Sequence, residues 1–73
     1  SKEAAGIVNS ILRELTKSER VMLSEVLLAG RSTAEVAREI GISKYAGRVL
    51  MERAMTRFRR RLREMGLDAD DFR

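Results

Sequence analysis

A small, all-α, four-helix domain is the fold that these 73 residues predict. Three observations lead there. Pro is absent, so nothing in the chain forbids helix outright. Strand-like alternation never persists, whereas apolar residues recur three and four apart along most of the chain. Three of the four such stretches follow a Ser or Thr able to cap a helix and precede a Gly able to end one: Thr16 and Gly30, Ser32 and Gly41, Ser43 and Gly66.

The first helix is expected at about residues 3–14. Ala4, Ile7, Val8, Ile11, Leu12 and Leu15 form one apolar stripe that must pack on something. Thr16 with Glu19 has the spacing of a capping box, in which hydroxyl and carboxylate each satisfy an orphan backbone N–H. A second helix should therefore run over 17–29, with Met22, Leu23, Val26 and Leu27 inward and Gly30 as its stop. Ser32 with Glu35 repeats the box and opens a third helix over 33–40 that buries Val36, Ala37 and Ile40. Gly41 ends it, Ile42 can turn inward, and Ser43 caps a fourth helix over 44–65. On that helix Leu50, Ala54, Phe58, Leu62 and Met65 share one side, bordered by Met51 and Met55. Tyr45, Val49, Glu52, Arg53, Thr56, Arg60 and Arg63 gather opposite. Residues 66–73 read as an acidic tail. A divalent ion on Asp68, Asp70 and Asp71 is the lesser reading, since no complete calcium loop surrounds them.

Composition excludes several function classes. A chain this short buries only about 60% of its unfolded surface, which leaves no deep active-site cavity. Cys and His are both absent, removing disulfides, thiolate metal sites, the commonest general base and the commonest metal ligand. No carboxylates form a defensible catalytic pair, so the expectation is no enzyme, no cofactor and no metal. The apolar runs fall far short of the roughly 20 residues a membrane helix needs, and no signal-peptide pattern opens the chain, which points to an intracellular protein. A first residue of Ser rather than Met reads as processing or as one domain of something longer.

The net charge of +4 is unevenly placed. Residues 44–63 hold Lys44 and seven arginines against Glu52 alone, +8 minus 1 or +7, so the rest of the chain carries −3. A positive face of this kind attracts polyanions, and attraction to phosphates supplies most non-specific nucleic-acid affinity. A solvated Arg-rich helix is the bland alternative. Position favours the former. Two helices joined by a Gly-containing turn of three or four residues, the second with a polar and basic outer face, have the pattern of a helix-turn-helix, whose second helix enters the major groove by its N-terminal residues. Buried Ala37 suits that pattern, because a small residue lets the third and fourth helices approach closely.

The stretch LTKSERVMLSEVLLAGRSTAEVAREIGISKYAGRVLMERAMTRFRRRL, residues 15–62, resembles region 4 of the sigma-70 family of transcription initiation factors. The shared order is a Leu-Thr-x-x-Glu-Arg opening, an apolar helix, a Gly-x-Ser/Thr-x-x-Glu-Val-Ala segment, a Gly-Ile-Ser turn, and Arg-Ala leading into a basic tail. LuxR-type regulators share some of these pieces, but the tail RAMTRFRRRL is closer to sigma. The resemblance implies a bacterial, cytoplasmic, nucleoid-associated module that docks on the minus-35 element of double-stranded promoter DNA. It also implies a grip on the flap of the RNA polymerase beta subunit, and control by a regulatory protein such as an anti-sigma factor.

Carried over residue by residue, the resemblance assigns base reading to Lys44, Tyr45, Arg48 and Val49, and phosphate contacts to Ser43, Arg53, Arg57 and Arg60. Arg48 has the geometry for a bidentate contact to guanine. Four positions depart from the family pattern. Tyr45 and Val49 stand where polar or charged readers are usual, and this apolar pair suits either thymine methyls or a protein partner. Ala46 is small where many members carry a long side chain. Gly47 falls on the buried stripe where the family has Val or Ile, and a mid-helix Gly costs about 1 kcal/mol relative to Ala. The expectation at Gly47 is a locally loose helix or a gap filled by another side chain. The first helix, outside the recognised core, is either simple core or one wall of a groove for a polymerase or regulator helix. The rivals are thus a dimeric LuxR-like or other regulator, and a sigma-like protein-interaction module that has lost specific DNA reading.

Overall fold

The computed structural model describes residues 2–67, and within them four helices and no strands. Helix α1 spans Lys2–Glu14 and α2 begins at Lys17. The expected capping box is present in full: Glu19 N–H donates to Thr16 Oγ1 at 3.2 Å, and Thr16 N–H donates to Glu19 Oε1 at 2.9 Å. Satisfying both orphan N–H groups from within three residues fixes the start of α2 with no help from the rest of the molecule.

The second half of α2 departs from the sequence reading. Regular α geometry covers Lys17–Leu23, and Ser24–Leu28 continues as a π-helical turn that ends in an Ala29 N–H to Ser24 C=O bond of 3.1 Å. With i→i+5 bonding, the 3.6-residue period that stacked Leu27 above Leu23 no longer holds. Leu27, expected inward, is 52% exposed, and Leu28 is 66% exposed. Gly30 then stops the helix with φ +70, as expected.

Helix α3, Thr33–Ile40, starts on half of its expected box. Ser32 Oγ accepts from Glu35 N–H at 3.1 Å, but the Glu35 carboxylate takes the Ser32 hydroxyl at 3.0 Å and leans towards Arg31 at 3.7 Å. At the other end Gly41, φ +81, donates to Arg38 C=O at 3.2 Å while Ile42 N–H donates to Ala37 C=O at 2.9 Å. This pair of bonds is a Schellman turn, and the positive φ it requires costs Gly no Cβ clash. Gly66 and Leu67 repeat the arrangement on Arg63 and Leu62 at the end of α4, Lys44–Glu64.

The core lies where α4 crosses the other three helices. Leu12 and Leu15 of the first segment meet Leu23 and Ala54, with Val8, Met51, Met55 and Phe58 packed around them. Ile11, Met22, Val36 and Leu62 are also fully buried. Two further burial expectations fail. Ile40, the last residue of α3, is 37% exposed on the wall of a shallow depression it shares with the start of α4, and Met65 is exposed because α4 has already ended. Of the expected acidic tail, Asp68, Asp70 and Asp71 lie outside the described residues. Among the described residues no helix is long and apolar enough to cross a membrane.

Candidate nucleic-acid interface

The turn Gly41–Ser43 delivers α4 to its position, and two local devices set it. Ser43 Oγ accepts from Ala46 N–H at 3.0 Å, and Gly47 N–H bonds to Ser43 C=O at 2.9 Å. The hydroxyl proton of Ser43 remains free to donate outward, as a phosphate contact from this position requires.

Gly47 sets the crossing of α3 and α4. It is buried, and a Cβ built on it would stand 2.6 Å from the Ala37 Cβ and 3.7 Å from Thr33 Cγ2. No real Cβ pair sits that close. The gap anticipated at Gly47 is therefore filled by α3 itself, and the residue is a contact point. Two small residues facing each other bring the helices together and turn the side chains on the far side of α4 outward.

Of the expected base readers, Lys44 and Arg48 are exposed, Tyr45 is 72% exposed, and Val49 is half-buried. Tyr45 and Val49 share a shallow depression with Ala46, Leu50 and Arg53 of α4, Ile40 and Ile42 of the α3 side, and Ser18 of α2. Neither isoleucine was expected on this surface. Of the expected phosphate contacts, Ser43, Arg53 and Arg60 are exposed, and Arg53, Thr56, Arg57 and Arg60 line one shallow cleft with Glu52.

The structure divides the arginines of α4 in a way the sequence does not announce. Arg57 points one Nη1 at the buried carboxylate of Glu19, 3.5 Å away, while its side chain stays 51% exposed. Arg61 is tied through Nε to both carboxylate oxygens of Glu14 at 2.9 Å and lies 3.6 Å from Glu64. The bonds to Glu14 hold the Arg61 guanidinium above its ordinary pKa, so its charge is committed to α1. Lys44, Arg48, Arg53, Arg59, Arg60 and Arg63 form no ion pair with any described residue. The remaining paired cation, Arg31, gathers Glu25, Glu35 and Glu39 and clasps the end of α2 to α3.

Comparison with family models, curated proteins and solved structures finds no match to this chain. The reading of the site thus rests on geometry and electrostatics. Six cations without ion-pair partners among the described residues occupy a helix about 31 Å long at 1.5 Å per residue, and the first three turns of that helix are the right size for a major groove about 12 Å wide. An apolar groove of about 360 Å³ runs between α1, the π-helical turn and α4, lined by Val8, Leu12, Leu28, Met55 and Phe58 with Arg59 on its wall. Among the described residues no His, Cys, Asp or Glu cluster could hold a metal ion.

Proposed function

We propose that this chain is a DNA-binding transcription-initiation module of the sigma region 4 kind, in which α3, the Gly41 turn and α4 act as a helix-turn-helix on the minus-35 promoter element. The observation that carries this reading is the placement of Lys44, Arg48 and Arg53, with no ion-pair partner among the described residues, around the outward start of α4, beyond the Ala37–Gly47 crossing. Unpaired guanidinium groups retain the capacity for bidentate contact with phosphate or guanine, whereas Arg61 has spent it on Glu14. Chemistry plays no part in this mechanism. Cations neutralise phosphates and fix the register, while the few side chains at the start of α4 provide sequence preference.

The groove between α1 and α4 supplies the second half of the proposal. An amphipathic helix fits an apolar groove by residues three and four apart, and the exposed Leu27 and Leu28 extend this one to the surface. The RNA polymerase flap is the occupant proposed here, with an anti-sigma-type regulator as a competitor for the same wall. A protein-interaction module without specific DNA reading is the second reading, and the apolar character of Tyr45 and Val49 favours it.

Selection of bound duplexes from a random library at two salt concentrations, repeated with Arg48→Ala and Arg60→Ala, tests the proposal. One asymmetric motif, relaxed by Arg48→Ala and uniformly weakened by Arg60→Ala, is the expected result. A palindromic motif would point to a dimeric regulator instead. Failure to enrich any sequence would overturn promoter reading.

A further inference from the structure

Among the described residues Glu19 is the one buried charged side chain, and it already has a local task. Its Oε1 accepts the Thr16 N–H at 2.9 Å as the returning half of the capping box. An amide serves that task as well as a carboxylate, because Gln also forms the box. The charge of Glu19 is therefore surplus to the cap. What the charge meets is Arg57, whose Nη1 stands 3.5 Å from the same oxygen.

The two acids that reach α4 from other helices hold their arginines differently. Glu14 is half-exposed and grips Arg61 Nε with both oxygens. Glu19 is fixed by burial and by the cap and makes a single, longer contact, while Arg57 is half-exposed and shares the shallow cleft of Glu52, Arg53, Thr56 and Arg60. Arg57 thus stands beside Arg53 and Arg60, which have no ion-pair partner among the described residues. Turning to a phosphate in that cleft would strand the Glu19 carboxylate without its counter-ion, and a buried charge left without its partner is strongly unfavourable. Glu19 occupies, inside the protein, the place that a phosphate would take. We propose that Glu19 is a positioning residue that withholds Arg57 from the DNA backbone, so that the chain neutralises one phosphate fewer than its arginines offer. On this reading Arg57, expected as a phosphate contact, serves Glu19 instead. The inference rests on the DNA-binding reading above and concerns its strength and salt dependence, not its sequence preference.

The test measures binding of the complete chain to one duplex by fluorescence anisotropy over a series of salt concentrations. Glu19→Gln keeps the capping box and removes the charge. It should bind more tightly and steepen the salt slope by about 0.9, so that its advantage over the unaltered chain falls about 3.5-fold between about 50 and 200 mM salt. Arg57→Gln, which keeps a donor towards Glu19, should leave the slope unchanged, and so should the two substitutions together. Glu39→Gln adds the same net charge where Arg31 keeps Glu25 and Glu35, and should not steepen the slope. A purely structural role for Glu19 would move urea denaturation and leave all these slopes equal. An unchanged slope for Glu19→Gln, or a slope reduced by about 1 for Arg57→Gln, would overturn the proposal and leave DNA binding standing. Should Glu19→Gln fail to fold, Arg57→Gln decides by the same criterion. Absence of duplex binding by the unaltered chain at every salt concentration would overturn the DNA-binding reading and this inference with it.

Discussion

The two halves of α4 are both basic, +2 over 44–53 and +4 over 54–64, and have different fates. From Lys44 to Arg53 the helix meets α3 through Gly47 against Ala37, a backbone-close contact, and reaches the core through half-buried Met51. From Ala54 to Glu64 it meets α1 and α2 through Ala54, Phe58 and Leu62, and it surrenders Arg57 and Arg61 to Glu19 and Glu14. The later half contributes more of the core and ties up two of its five arginines, whereas none of the three cations of the earlier half has an ion-pair partner among the described residues. A run of arginines in sequence is thus not one electrostatic object, because acids on other helices decide which members remain available.

The largest effect that would sharpen this contrast is in the later half. Leu62→Ala removes a fully buried side chain and should cost about 2–5 kcal/mol in urea denaturation, enough to unfold much of so small a domain. A comparable loss from Leu50→Ala, which is only half-buried, would break the comparison.

Overpacking the early half comes next. Gly47→Val should cost about 1–3 kcal/mol, and even Gly47→Ala should destabilise, although Ala gains about 1 kcal/mol in helix propensity. Pairing Gly47→Ala with Ala37→Gly should recover part of the loss, since the clash needs both Cβ atoms. A stabilising Gly47→Ala would refute the close crossing.

Thr16→Ala should cost about 1 kcal/mol by opening the capping box that also presents Glu19 to Arg57. On DNA, Arg60→Ala should reduce the salt slope of binding by about 1, while Arg61→Ala leaves the slope unchanged because its charge is already matched by Glu14. Equal slopes for the two variants would erase the division between free and committed arginines.

The smallest effect concerns pH. Hydrogen bonding to Arg31 holds the Glu39 carboxyl below the ordinary carboxylate range. A folded-state value lower than the unfolded one gives stability that is present above about pH 4.3 and lost as pH falls through that region towards the folded value. Thermal melts of the unaltered chain and Glu39→Gln should therefore differ slightly at neutral pH and converge in acid. A difference that grew in acid would reverse the sign.

The helix boundaries were almost fully legible in the sequence, since caps and Gly stops act over three to five residues. Thr16, Ser32 and Ser43 start helices where expected, and Gly30, Gly41 and Gly66 end them. The burial pattern was less so. Leu27 failed because a π-helical turn changed the period, and Ile40 failed because exposure at a helix end depends on what the next helix places beside it. Among the site residues, exposure of Tyr45 and Arg53 followed from the outer face on which periodicity placed them, whereas the exposure of Lys44 and Arg48 and the inclusion of Ile40 and Ile42 in that surface did not.

By itself, then, the sequence determined the four helices and the concentration of positive charge on the last, because capping and periodicity are interactions between near neighbours. Tertiary structure alone decided that Gly47 is a contact point and that Arg57 and Arg61 are committed while Arg48, Arg53 and Arg60 have no ion-pair partner among the described residues. The carboxylates that make that choice stand 38 and 47 residues from the arginines they bind, and attraction across such separations exists only once packing has closed the chain.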